Sequence, residues 1–484
     1  MTRPGSAHSV LAACTEHFQT RSPGNQLTQN ARDAGRPGAA GQLADVQATD
    51  GLAPREPVRP WLGRSRLMAV YAAFCAYATM AAAVSGGRDR LWAIWAACGY
   101  AAALAVLWLW RGRRGVIAAV GVSVALAVLA PLLWLSVGYP LEDGMNVIDR
   151  AASLLVHHGS PYLPAAQVTS WISYNPYLPV MTLFGLPHVA GLGVLAGNAG
   201  VWIAIGTVIP LAAAFWIAMA RDGRRPERVS RGGGRTWRQD ALLATGVAVA
   251  SPVVGLNLAV ITTDPPVLAL ILLALALATR PAATQPGSLQ PGNTGPAAVI
   301  SARATGALGA GIAIGAACDL KSTAWLAVPV LFAMFAARDG TRAAWRFAAS
   351  AAVTVFVLIA ALAPAALTSL AAANALIRDS VLFPLGLTHY KTPAESLLPG
   401  HLLTTLGTAG HVISVGLLLA AVLGIAVSLV VRPPGDVPAA AWRLAIGLAL
   451  MFLLGPQVRF GYFLYPLGLV GYLALTQQQK AESP

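Results

Sequence analysis

What most constrains this chain is the succession of apolar runs that begins near Leu67 and continues, with short polar interruptions, to Thr476. Twelve runs stand out, at 67–84, 91–110, 116–137, 196–220, 241–261, 265–279, 304–318, 323–337, 347–369, 401–431, 442–454 and 462–476. A perpendicular helix needs about 20 apolar residues to cross the hydrocarbon layer. Several runs are shorter, which predicts tilt, local thinning or mouths that open on a wet cavity. Hydrophobic residues make up 56% of the chain and charged residues 11%, against about 25% charged in an average globular protein. A soluble fold is excluded. In hydrocarbon every backbone N–H and C=O must be satisfied within the segment or a closed barrel, and runs of this length select helices. The fold class is therefore all-α and polytopic, a bundle of about 12 transmembrane helices.

The formal net charge of +14 could invite nucleic acid, but the arginines sit in short loops flanking the apolar runs, where membrane orientation accounts for them. No nucleic-acid partner is expected. The four cysteines, Cys14, Cys75, Cys98 and Cys318, show no paired spacing, so neither a disulfide framework nor a zinc site is indicated. Residues 1–60 lack periodicity and a signal-peptide pattern, and are expected to form a disordered, uncleaved tail.

The stretch 174–195, apolar but broken by Pro176, Pro179 and Pro187, decides the topology. If it lies along the surface, 26 of the 33 Lys and Arg fall on one face of the membrane; if it crosses, the division is 15 to 18. Positive charge favours the cytoplasmic side, so a surface-lying segment is expected, with both termini cytoplasmic and an extracytoplasmic loop over 138–195. The same topology sends Asp143, Asp149, Asp264, Asp319, Lys321, Arg378, His389, Lys391 and Arg459 to the outer side. Ionisable groups at the ends of apolar spans are costly unless paired or wet, so their convergence marks a candidate site.

Within the outer loop, Met145, Ile148, Ala152 and Leu155 recur at helical spacing, with Asp149, Arg150 and Ser153 facing elsewhere; this reads as an interfacial amphipathic helix closed by Gly159. Asp143 stands where a carboxylate caps a helix N-terminus and equally where a general base would meet a lipid-borne substrate. Trp171, Tyr174 and Tyr177 fit an interfacial aromatic belt, or a wall against a sugar ring. Asp264 precedes Pro265 and Pro266, as a helix-starting turn would have it, yet a turn needs no acid, and function is favoured. Asp319 and Lys321 break a long apolar stretch: they either pair locally or leave Lys321 to reach an anionic phosphate. Arg378, His389, Lys391 and Arg459 are further candidates for holding that phosphate, or are simply solvated. Gly311 and Gly315 form a GxxxG suited to helix packing. Adjacent His157 and His158 point apart on a helix, and no metal site is expected. Signatures of NTP hydrolysis, zincin proteolysis and serine hydrolysis are missing.

Three places, taken in order, resemble the GT-C superfamily of integral membrane glycosyltransferases, particularly the actinobacterial polyprenyl-phosphomannose-dependent mannosyltransferases and glycosyltransferase family 87. They are the acidic loop and amphipathic helix ending Gly159-Ser160-Pro161-Tyr162, the aromatic-proline segment Tyr174-Asn175-Pro176-Tyr177-Leu178-Pro179, and Thr262-Thr263-Asp264-Pro265 followed by Lys321. The resemblance covers roughly 139–337, with RFGYFLYP near the C-terminus a weaker echo. It departs at Thr262-Thr263 and in placing Asp319 close to the lysine. It implies a GT-C-like bundle with a catalytic membrane module over 61–345, C-terminal transmembrane helices over 346–476 and a cytoplasmic end over 477–484. It further implies Asp143 as catalytic base, or as the group that orients the acceptor, and Asp264 as a second acid beside the reacting centre. Lys321, Arg378, His389, Lys391 and Arg459, with Tyr174, Asp149 and Asp319, would bind substrate. The expected reaction is inverting transfer of a sugar, mannose foremost, from a polyprenyl-phosphate donor to an extracytoplasmic lipid or glycan acceptor, with no other cofactor. The competing expectation is a secondary transporter or flippase, although no repeated half is visible.

Overall fold

The computed structural model describes residues 63–138, 143–221, 234–279, 296–390, 396, 398–456 and 458–477. The expected tail 1–60, nearly all of the end at 477–484, and Lys391 lie outside them. Among the described residues the chain is helical throughout, without strands.

The N-terminal helices are α1 (Arg64–Val84), α2 (Gly87–Leu109) and α3 (Arg113–Gly138). Several of their polar groups are paired across the packing surface, as a low-dielectric surrounding favours, while the buried Ser136 Oγ on α3 has no hydrogen-bond partner among the described residues. Tyr71 and Ser123 share a hydroxyl hydrogen bond of 2.7 Å, and Tyr100 donates to the Ala250 carbonyl. A π-turn at Ala125–Leu129 loosens the ladder of α3, and there Trp92 Nε1 donates to the Ala127 carbonyl at 2.9 Å. Next comes α4 (Asp143–His158), the helix predicted from the Met145, Ile148, Ala152 and Leu155 spacing, closed at Gly159 with φ of +68°. Its buried face is wider than that stripe. Asp149, expected to face away, is also buried, because the turns Pro179–Gly185 and Leu186–Val189 cover a second flank of the helix. The 174–195 stretch holds only such short helical pieces, none long enough to span.

There follow α5 (Ala199–Ala220), α6 (Gly234–Ala250), α7 (Pro252–Ala259), α8 (Pro265–Ala278), α9 (Pro296–Cys318), α10 (Ala327–Asp339), α11 (Thr341–Leu362), α12 (Leu370–Ile377), α13 (Pro399–Thr404), α14 (Thr408–Val431), α15 (Val437–Leu454) and α16 (Leu464–Gln477). Seven helices, α1, α2, α3, α5, α11, α14 and α15, are long and apolar enough to cross a membrane. An eighth crossing is available if α6 and α7 count as one span, bent by 64° at Ser251-Pro252. The run at 241–261 is thus broken rather than continuous: Pro252 has no N–H to donate, and the Ser251 side chain accepts from Val254 N to start α7. The remaining expected runs, in α8, α9, α10 and α16, are helical but short. Twelve full-length spans are not what the described residues contain; a multi-pass membrane architecture is.

Of the short helices, α8 lies inside. α8 is apolar on every side and buried along nearly its whole length, the pattern of a helix with no solvent or lipid face. It packs between α5 and α9. α9 in turn meets α11 through Gly311 and Gly315: a methyl group at either would run into the backbone of Phe347 or Ala351 and the side chains of Ser350 or Thr354. The GxxxG is a packing device. Gly311→Val is therefore expected to force α9 and α11 apart and cost about 1–3 kcal/mol or more, read as a lower melting temperature of the purified protein; an unchanged melting curve would remove that contact from the account.

Candidate functional site

α8 begins immediately after Asp264, and the turn that delivers it is strained. Ile261 sits at φ of +65°, an uncommon conformation for a β-branched residue, held by Thr262 N donating to the Asn257 carbonyl and Thr262 Oγ1 to Asn257 Oδ1. Gly200 on α5 lies against the Ile261 side chain with no room for a Cβ. Strain of this kind costs of order 1–3 kcal/mol and persists where the surroundings over-determine it. Its result is that Asp264, 5% exposed, does not cap α8 with its side chain. Instead its Oδ1 accepts from Lys321 Nζ at 2.6 Å and from the Tyr465 hydroxyl at 2.7 Å. Tyr465 also accepts from Thr323 Oγ1 at 3.2 Å. Residues 57 and 201 positions apart thus meet at one carboxylate oxygen.

Lys321 ends the break after α9, in extended conformation ahead of the turn Ser322–Leu326. Its ammonium lies 4.7 Å from the Tyr462 ring centroid and 6.0 Å from that of Tyr177, so two aromatic faces and one carboxylate surround it. Burial works against the charge on Lys321, but Asp264 beside it prevails and the lysine is held protonated more firmly than usual. Asp319 does not pair with it. The Asp319 side chain is fully buried, and neither carboxyl oxygen has a hydrogen-bond partner among the described residues; burial pushes its pKa up to about 8. Its backbone does the positioning: Val180 N donates to the Asp319 carbonyl and Leu178 N to that of Leu320, stitching the aromatic-proline segment to the break.

That segment is held from its other side by a second charged cluster. Arg378 Nε donates to Asp379 Oδ1 at 2.7 Å and its Nη2 to the Leu163 carbonyl at 2.8 Å. Asp379 Oδ2 accepts from Asn175 N, and Arg150 donates to the carbonyls of Ser173 and Tyr174. Tyr174 stacks on Phe383 with centroids 4.4 Å apart. Arg378 is therefore a clamp on residues 163–175, with Asp379 as its partner.

These elements enclose a cavity of about 1140 Å³ whose lining includes Asp143, Tyr174, Asp264, Lys321 and Arg459. Asp143 stands in the first turn of α4, exposed, close to where Gly144 passes the Tyr177 hydroxyl. Arg459 is exposed. Five of the expected catalytic and substrate-binding residues thus share one chamber, with Trp171 and Tyr177 of the aromatic-proline segment beside them. Arg378, His389, Asp149 and Asp319 do not line it: His389 packs edge-on against Tyr390, and Asp149 faces His188 at 3.9 Å behind α4. His411, Tyr462 and Phe383 line the cavity without having been singled out; Tyr465 and Asp379, which hold it together, were likewise missed as partners. The sequence hint for Tyr462 and Tyr465 was the aromatic RFGYFLYP segment. Among the described residues no group of three His, Cys, Asp or Glu converges on a common point.

No family model, curated protein or solved structure matches this chain.

Two outcomes follow from this geometry. Lys321→Met and Asp264→Leu each leave a buried charge uncompensated and are expected to cost about 3–5 kcal/mol, while the double replacement costs less than the sum; thermal unfolding of the three variants checks the coupling. Because the Asp319 pKa lies above the unfolded value, the folded state binds the extra proton between about pH 4 and 8. Stability from this group is full below the unfolded value and is lost as pH rises through about 8. Asp319→Asn should flatten that part of the melting-temperature profile; an unchanged profile would show that the carboxyl is not held neutral.

Proposed function

We propose that this chain is a membrane glycosyltransferase that moves a sugar, mannose foremost, from a polyprenyl-phosphate donor to a lipid or glycan acceptor on the extracytoplasmic side. The observation that carries the reading is the single chamber in which an exposed carboxylate, a buried carboxylate–ammonium pair and an exposed guanidinium meet between apolar walls. Sugar transfer by single displacement needs a base for the acceptor hydroxyl and positive charge for the departing phosphate, and both are present. The resemblance of 139–337 to GT-C enzymes supports the same class. Nucleotide sugars are cytoplasmic, so a lipid-borne donor suits an outward-facing site.

The two carboxylates differ in capacity. Asp264 already accepts from Lys321 and Tyr465 through one oxygen, which suits it to hold the lysine in place. Asp143 has no bonded partner among the described residues, so in this reading it takes the proton as the acceptor oxygen attacks the anomeric carbon. The bond from that carbon to the phosphate oxygen breaks, and the leaving polyprenyl phosphate is met by cationic side chains. Attack from the face opposite the leaving group inverts the anomeric centre.

Asp143→Asn should lower the rate of sugar transfer from a polyprenyl-phosphate donor by about 10²–10⁴-fold while the melting temperature stays near that of the unaltered protein. Asp264→Asn should lower both. Full transfer in both variants would overturn the base assignment and favour a carrier or flippase.

A further inference from the structure

Asp149 takes no part in the chamber, and its surroundings set it apart from the other carboxylates. It lies in the second turn of α4, on the flank covered by the turns Pro179–Gly185 and Leu186–Val189. Its side chain is 11% exposed, and Oδ1 is buried without a hydrogen-bond partner among the described residues. Oδ2 lies 3.9 Å from Nδ1 of His188, an ion-pair rather than a hydrogen-bond distance. The His188 side chain is 60% exposed. The histidine can therefore exchange protons with the medium, while the carboxylate it faces is shut in.

The packing around this pair is close. At Gly185 a Cβ would come within 2.7 Å of the Ile148 carbonyl oxygen and 3.0 Å of Ala152 Cβ, so the turn seats directly on the backbone of α4. Phe184 in the same turn lies against Gly206 of α5, again with no room for a Cβ. The elements packed on α4 are chiefly Trp171–Ser173, the two turns and α5, and His188 is the one ionisable side chain that they carry. On α4 itself, Arg150 is turned to the carbonyls of Ser173 and Tyr174, and Asp143, His157 and His158 stand at the two ends. Burial raises the pKa of Asp149, and His188 opposes that rise.

What happens at this seat is felt at the chamber. α4 is one continuous helix with Asp143 in its first turn. The turn on the other side of the seat is tied to the break that carries Lys321, through Val180 N on the Asp319 carbonyl and Leu178 N on that of Leu320. A shift at the seat therefore moves Asp143 relative to Lys321. We propose that Asp149 and His188 are a positioning pair, a proton-operated latch that holds α4 where Asp143 meets the chamber and releases it as the medium becomes less acidic. Histidine is the side chain whose charge changes in the mildly acidic to neutral range. With His188 protonated, the carboxylate has a cation opposite it; once that proton leaves, a buried negative charge faces nothing and the seat loosens. The raised pKa of Asp149 acts in the same direction. Its contribution is full below the unfolded carboxyl value and is lost as pH rises through the higher folded one. The inference rests on the preceding functional reading for the role of Asp143, and it goes further in giving that site a control by pH.

The test is hydrogen–deuterium exchange of the full-length protein in phosphatidylcholine nanodiscs between about pH 5 and 8.5, corrected for the intrinsic pH dependence of exchange. Peptides from 143–158 and 179–189 should lose protection together as pH rises, while those from α8 stay level. His188→Gln removes the cation and should move the midpoint of that loss to lower pH by about half a unit or more. His188→Arg keeps a cation at every pH and should move it upward by as much or abolish the loss. Asp149→Asn should leave protection level throughout. A residue that only fills space would not give opposite shifts with Gln and Arg. Should Asp149→Asn melt lower than the unaltered protein, the two replacements of the exposed His188 still decide the matter. Level protection in the unaltered protein, or one midpoint shared by both His188 variants, would overturn the proposal. Sugar transfer measured on the same samples separates the two readings: the expected exchange midpoints without any transfer refute the enzyme alone, and transfer with exchange indifferent to His188 refutes the latch alone.

Discussion

The contact between Asp264 and Lys321 is the constraint around which the rest is arranged. Two charges, 5% and 8% exposed, meet at 2.6 Å at the end of a wholly apolar helix. Removing either from water is costly unless the partner and further hydrogen bonds are in place. That requirement fixes the turn at 261–264, the extended break at 319–321 and the start of α16, since Tyr465 supplies the second bond to the same oxygen. α8 then has to be short and central, because its N-terminal end must lie at the floor of a chamber rather than at a lipid headgroup. Its positive dipole end favours the carboxylate placed there.

Charge is used in two ways in this protein. The cluster of Arg378, Asp379 and Arg150 is turned inward onto backbone atoms of 163–175 and converts a proline-broken loop into a fixed wall. Asp143, Arg459 and His411 are turned into the chamber without partners among the described residues. A site that must recognise a charged, mobile substrate needs the second kind, and needs the first kind to hold it still. Asp319 belongs to neither group: buried, without a side-chain hydrogen-bond partner among the described residues, and with its pKa pushed up by burial, it contributes through its backbone carbonyl.

The apolar components fall into a similar division. α8 and the core of α9 are covered by other helices and need not reach across a bilayer, whereas α11 and α14 present most of their surface outward. This is why apolar length alone overcounted the spans. A buried helix and a lipid-facing helix are equally hydrophobic, and only packing distinguishes them.

What the sequence determined by itself was whatever depends on local chemistry: the helical class, from runs too apolar for water; the amphipathic α4 with its Gly159 stop; the GxxxG contact; and the candidacy of Asp143, Asp264, Lys321, Tyr174 and Arg459, which stood out as polar groups in apolar surroundings. Tertiary structure decided who pairs with whom. Lys321 stands two residues from Asp319 yet bonds Asp264, 57 positions away, and Tyr465 closes on the same oxygen from 201 positions away. Arg378 resembled a phosphate ligand until Leu163 and Asp379 were seen to occupy it, and His411 was one histidine among several until α14 lined the chamber with it. A residue's type is written in the chain, but its partner is set by which helices share a surface, and that is a property of the whole packed bundle.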